Sequence, residues 1–416
     1  MAAPLVPTSS SRPPVTSAAV KTPRRYELDW LRTCVVFGLI PFHTAIIFTT
    51  GLGDYVKNEQ RSPLMNVLAG FITFWGIPLL FFVAGAASQF ALRSRSPRRY
   101  VIERIMRLGI PFVFGVLVIV PIQVYIGTLA SPGPHDTYPQ FYIHYVRSWA
   151  DVFQGRFPAR GADWVGHLWF IPPLILFAMV TLPLFRYLET PKGTRVIERI
   201  ALHFTGWRML VLFGVPLALG QLLLQSRLSN LLFLDFQVSA NWVLLFIYLF
   251  FYVFGFIGYG DERFLKVIRR DWPGALVFGT AAWVVFEVLF LTGRSPTAEN
   301  VLGYTLVVFL RSYISWLWVV ALVGIAMRCL SSNSRALAYL KDAAYPVYVL
   351  HMSVLTIVGF YVVQWDMPLL VKFLIIVGVS VPVTLLLYDV AVRRTPVTRF
   401  LFGMDIHHPP SQQASK

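Results

Sequence analysis

The residues best suited to chemistry lie in the first long apolar run, which reads Tyr26-Glu27-Leu28-Asp29-Trp30-Leu31-Arg32 and then Ile40-Pro41-Phe42-His43. Arg32 and His43 are eleven residues apart. At about 100° per residue they share one helix face, about 16 Å apart along the axis. Asp29 stands three residues before Arg32, within pairing reach on the same side. An ionisable group inside a bilayer span costs several kcal/mol unless it is paired or wet, so each one is read first as functional. This face suits an anionic ligand held near Asp29 and Arg32, with His43 as a base further along. The structural alternative is an interfacial Asp–Arg pair and a histidine hydrogen-bonded to a neighbouring helix. Depth and alignment favour function.

Other polar groups interrupt later apolar runs. Arg104 and Arg107 form an Arg-x-x-Arg pair beside Glu103, placed by helical spacing on one face. They are either ordinary basic flanking charge or a phosphate clamp, for which guanidinium geometry is suited. His167 opens a run in His167-Leu168-Trp169-Phe170, and His351 ends Tyr345-Pro346-Val347-Tyr348-Val349-Leu350-His351. Each histidine is a site candidate or a satisfied core residue. Glu287 and Arg311 lie in consecutive runs, where mutual neutralisation is the structural reading and substrate contact the functional one. Lys372, near a helix end, is read as a snorkelling cation. Asp389 lies close to Arg393 and Arg394.

The elements that must carry these groups are membrane spans. Of 416 residues, 56% are hydrophobic and only 13% charged, with a mean hydropathy of +0.63. Soluble domains run near 25% charged, so the composition points away from a water-soluble fold. Apolar runs of bilayer-spanning length fall at about 28–50, 66–92, 105–129, 167–188, 208–226, 241–260, 273–292, 302–328, 343–363 and 369–391. The expected fold is therefore all-α, a polytopic integral membrane protein with about ten transmembrane helices. Residues 1–25 read as a disordered basic tail, 26–403 as the membrane domain and 404–416 as a second tail. The first apolar run is long and carries no clear small-residue cleavage site, so the chain's start is not read as a cleavable signal peptide.

Charge sets the expected orientation. Segments at one set of run ends hold 26 Lys and Arg, from Arg12 through the cluster Arg93–Arg107 to Lys416, whereas the alternate segments hold seven. The basic side is expected to be cytoplasmic, with both termini there. The same placement explains the net charge of +16 without nucleic acid. Cys34 and Cys329 give no CxxC pair and no zinc spacing, so no metal is expected. The longest segment on the other side, about 130–166, is aromatic-rich (Tyr138, Phe141, Tyr142, Tyr145, Trp149, Trp164) and includes His135, His144, Asp136, Asp151 and Asp163. An interfacial helix with an aromatic belt is the first reading, an outer lid the second.

Together these motifs resemble the membrane acyltransferase 3 family. Arg32 and His43 match its first-span Arg-x10-His signature, and Arg104 and Arg107 match its Arg-x-x-Arg. His167–Phe170 and Tyr345–His351 match its His-Leu-Trp-Phe and Tyr-Pro-x-Tyr-x-x-His segments. The likeness runs from Tyr26 to about Gly403. Asp29–His43, Glu103–Pro111 and Leu387–Phe402 look closest to the branch that succinylates periplasmic glucans. The resemblance implies a plasma (inner) membrane O-acyltransferase that moves a succinyl or acetyl group from cytoplasmic acyl-CoA to a hydroxyl of an extracytoplasmic carbohydrate. It implies no tightly bound cofactor. His43, Arg32 and Asp29 would be catalytic and Arg104 and Arg107 would hold the donor. His167, Trp169, Glu287, Arg311 and His351 would line the substrate site. A secondary transporter of an anionic solute is the alternative, although no inverted repeat is visible. A polyprenol-dependent glycan enzyme acting through the acidic residues of 130–166 is a third.

Overall fold

The computed structural model describes residues 25–50, 53, 55–153, 165–203, 207–224, 242–294, 296 and 300–405. Most of both tails, Asp163 and Trp164 lie outside the described residues. Every apolar run of the sequence lands on a helix. Among the described residues, eight helices are long and apolar enough to cross a membrane: α1 (Tyr26–Ile47), α2 (Pro63–Ser94), α3 (Pro97–Leu129), α9 (Val243–Gly260), α10 (Glu262–Leu291), α11 (Val301–Cys329), α12 (Arg335–Val362) and α13 (Leu369–Val392). Between α3 and α9 come α4 (Tyr138–Phe153), then α5 (Gly166–Val180) and α6 (Leu182–Leu188), bent by 49° and forming a ninth span if taken together. These are followed by α7 (Pro191–His203) and α8 (Arg208–Leu223). The expected tenth span is α8, which at this length falls short of the roughly 20 residues a bilayer requires. No strand occurs among the described residues. The chain is a multi-pass membrane protein.

The helix ends sort by charge, and side-chain contacts tie them together. At the arginine-rich end Arg25 pairs with Glu262, Trp30 Nε1 donates to the Ser332 carbonyl at 3.3 Å, and Tyr339 donates to Asp389 at 2.7 Å. At the opposite end the last carbonyls of α1 are met by cations, which suits the negative end of a helix dipole. Lys57 Nζ donates to Ile46 O at 2.7 Å, and Arg61 Nη1 lies 3.4 Å from Ile47 O. Lys372 does not snorkel. It is buried, and its Nζ donates to Asn58 Oδ1 at 3.0 Å and Val363 O at 2.9 Å. An ammonium with two acceptors in the protein has no need of the interface.

Proline placement decides the shape of α3. Pro111 and Pro121 lack the N–H that would bond back four residues, and π-turns lead up to both, at Ile105–Gly109 and Gly115–Ile119. Such turns free carbonyls for outside partners. Tyr142 and Tyr145 of α4 donate to Leu117 O at 3.1 Å and Val116 O at 2.7 Å. Tyr345 donates to Leu108 O at 3.3 Å, and Ser353 to Ile119 O at 2.9 Å. The aromatic segment is thus a 16-residue helix whose tyrosines pin it to α3.

Candidate active site

Three histidines that are remote in sequence meet inside the bundle. The His43 and His351 rings are 5.6 Å apart, and the His351 and His167 rings 5.1 Å apart. They come from α1, α12 and the 3₁₀ turn Gly166–Phe170 that opens α5. His351 is fully buried and His167 nearly so. Among the described residues, no group of three His, Cys, Asp or Glu is placed to hold a metal ion.

Backbone carbonyls fix how two of the rings present themselves. His351 Nδ1 lies 2.8 Å from Tyr348 O and 3.2 Å from Val347 O. His167 Nε2 lies 3.0 Å from Val349 O. Only an N–H can bond a carbonyl, so each neutral ring has its proton at that nitrogen and a lone pair at the other. The two remaining nitrogens, His351 Nε2 and His167 Nδ1, are buried without a partner. Buried polar atoms are ordinarily satisfied, so each exception calls for an explanation.

The turn carrying His167 is held from several sides. Tyr348 Oη donates to His167 O at 2.7 Å, and Tyr348 is the residue before Val349, whose carbonyl His167 Nε2 meets. Gly166 has a φ of +49°, in the left-handed region that glycine enters without strain. A Cβ there would also stand 2.3 Å from Gln123 Nε2. Gln123 is fully buried on α3. Its Nε2 donates to Tyr55 Oη at 3.2 Å, and its Oε1 receives Ser353 Oγ at 3.4 Å. It therefore touches the loop that follows α1, the residue before His167 and the residue two beyond His351. Sequence reading did not single out Gln123, Tyr55 or Ser353; an amide inside an apolar run was the available signal.

The arginines behave differently. Arg32 is an exposed residue of α1, about 16 Å along the axis from His43 at 1.5 Å per residue. Asp29 is about 21 Å from His43 by the same rise, so it belongs with the arginine end and not with the histidines. Its carbonyl accepts from Thr33 Oγ1 at 2.8 Å. Arg104 and Arg107 do not share a face as helical spacing predicted, because the π-turn begins between them and widens the helix. Arg104 Nη2 turns inward to Ser88 Oγ at 3.1 Å, over the Tyr100 ring. Ser88 in turn joins Tyr100 and Tyr252 through hydroxyl contacts of 2.9 and 2.8 Å. Arg107 is exposed and lies 3.6 Å from Asp405.

The remaining candidates lie elsewhere. Trp169 packs against Tyr248, with ring centres 5.9 Å apart. Glu287 is buried and accepts from Trp283 Nε1 at 3.1 Å. Arg311 lies over the Phe74 ring, so the expected Glu287–Arg311 neutralisation is not formed. Neither residue contacts the three histidines. Asp136 pairs with His144 at 3.2 Å on an exposed surface.

Comparison with known proteins places the chain in a family. A family model described as an acyltransferase domain matches residues 25–389, a stretch that includes all three histidines. The chain is 22% identical to glucans biosynthesis protein C of Salmonella heidelberg (strain SL476), over 96% of this chain and 99% of that protein. It is 21% identical, with the same coverage, to the protein of that name from Salmonella schwarzengrund (strain CVM19633). No solved structure matches.

Proposed function

Because the chain belongs to the acyltransferase family whose domain fills residues 25–389, we propose that it moves an acyl group, succinyl or acetyl, from acyl-CoA to a hydroxyl of a carbohydrate on the far side of the membrane. The arginine-rich end, with both termini, faces the cytoplasm in this reading, following the positive-inside rule. A glucan is the acceptor suggested by the relatives' printed name. The observation that carries the proposal is the histidine cluster, with two buried lone pairs left open, standing about 16 Å from Arg32 along one helix.

Arg32 and Arg104 are suited to the donor's phosphates, since guanidinium groups form strong charge-assisted bonds to phosphate oxygens. The extended arm between the phosphates and sulfur of coenzyme A is of the order of four residues of chain, roughly 15 Å. A thioester tethered at the arginines therefore reaches the histidines. There His43 takes the proton of the acceptor hydroxyl as its oxygen forms a bond to the thioester carbonyl carbon. The C–S bond breaks, and the departing thiolate receives the proton from His43. His351 Nε2, next to His43 and unpartnered, is the acceptor at hand for the other His43 N–H. It would hold the base in one tautomer, as orienting groups do beside catalytic bases.

The test is acyl transfer by purified protein in liposomes, with radiolabelled succinyl-CoA or acetyl-CoA and a glucan acceptor. Wild type should label the glucan. His43→Ala should lose at least about 10²-fold in rate, the scale of general base catalysis, while melting at a similar temperature. Wild-type rates in that variant would remove His43 from the mechanism. Failure to cleave any acyl-CoA would overturn the proposal itself.

A further inference from the structure

A polar cavity lies at the arginine-rich end, away from the histidines. Its volume is about 310 Å³, within the range of small-molecule sites, and it opens between the last turns of α2 and α9 and the junction of α6 with α7. Its polar lining includes Gln89, Arg93, Arg186, Glu189 and Asp261, with Phe256 on the apolar wall. Two guanidinium groups and two carboxylates thus face one space. With its amide oxygen turned toward Arg93, Gln89 accepts from Arg93 Nε and Nη2 at 2.6 and 2.7 Å. Arg186 Nη1 bonds Glu189 Oε2 at 3.0 Å. The other carboxylate oxygen, Glu189 Oε1, is buried without a hydrogen-bond partner. Asp261 caps α10 and bonds the Arg263 side chain. That bonding holds its carboxyl below the ordinary carboxylate range, so it is an anion at neutral pH.

The location narrows the ligand. The cavity lies where α2, α6 and α9 end, the level at which spans give way to headgroups. The two helices that border it, α6 and α7, carry the exposed side chains Leu184, Tyr187, Val196 and Leu202, a surface suited to acyl tails. We propose that this cavity binds a membrane phospholipid whose headgroup carries both a phosphate and a primary ammonium. Arg93 and Arg186 take the phosphate and the Glu189 carboxylate takes an ammonium N–H, with Asp261 close by as a second anion. A quaternary ammonium has no N–H to give Glu189. A headgroup with no cation leaves both carboxylates facing its phosphate. The inference does not depend on the acyl-transfer reading.

The test is native mass spectrometry of the full chain in detergent, titrated with phosphatidylethanolamine, phosphatidylcholine or phosphatidylglycerol of matched tails. Wild type should retain one phosphatidylethanolamine with about a tenfold preference over phosphatidylcholine, the scale of one charge-assisted hydrogen bond. Glu189→Gln should erase that preference, Glu189→Asp should retain much of it, and Arg93→Gln should weaken all three lipids. Equal retention of ethanolamine and choline lipids by wild type would overturn the proposal, even if a variant failed to fold. So would a preference that survives Glu189→Gln, or release of the bound lipid by succinyl-CoA at a matched concentration.

Discussion

The two ends of the bundle solve opposite problems. At one, three histidines far apart in the chain are drawn together, with ring centres 5.6 and 5.1 Å apart. At the other, arginines close in the chain are drawn apart, Arg104 turning inward to Ser88 and Arg107 outward toward Asp405. The histidine cluster leaves two nitrogens unsatisfied, whereas at the arginine-rich end Arg104 and Arg107 each have a protein partner. A buried imidazole lone pair without a partner can accept a proton from a neighbouring group. Distributed and satisfied charge marks where a long anionic ligand can be guided and released.

The comparison breaks most visibly at His351. His351→Phe keeps an aromatic ring of similar size but removes the Nε2 lone pair. Turnover should fall about 10²-fold, the lower bound for loss of a group acting with a general base, while donor KM stays constant. A wild-type rate would mean that the three histidines do not act as a unit. Next comes Gln123→Leu, which keeps the volume and removes the bonds to Tyr55 and Ser353. It strands partners at a net cost of about 1–3 kcal/mol. Its kcat should drop about tenfold with donor KM unchanged, and Tyr55→Phe should drop less. A rise in donor KM instead would put Gln123 on the donor path.

The arginine end is sharpened by treating its pair separately. Arg104→Gln should raise the KM for acyl-CoA about tenfold, the worth of a charge-assisted bond. Arg107→Gln should change it by less than about threefold, as exposed ion pairs contribute little. Equal effects would restore the single clamp that helical spacing suggests. The smallest effect concerns stability. The Asp261 carboxyl is held below its ordinary value of 3.8, mainly by its bond to Arg263. A depressed carboxylate contributes stability that is full above its unfolded value and lost as pH falls through the folded one. Melting temperature should therefore decline below about pH 4, and less so in Asp261→Asn.

Several features were legible without coordinates because they depend on local chemistry. Each apolar run is a helix, because a long stretch without charge in a membrane can satisfy its backbone only internally. Arg32 and His43 lie on one helix, so their separation follows from the helical rise alone. The pairing of Glu287 with Arg311 that their opposite charges suggested is not formed, and the structure gives each a different neighbour, Trp283 and Phe74. Opposite charge in consecutive spans says nothing about which faces meet.

Sequence by itself therefore determined the class of the protein, the number and order of its apolar segments, the clustering of charge at alternate segment ends and the identity of the three histidines as exceptional residues. Tertiary structure alone decided that His43, His167 and His351 meet, that Gln123 joins the segments around them, and that Arg104 and Arg107 diverge. The physical reason is range. Hydropathy and helical rise act within one segment, whereas a π-turn before Pro111 or a left-handed Gly166 redirects side chains, and only the packing of helices distant in sequence decides what those side chains meet.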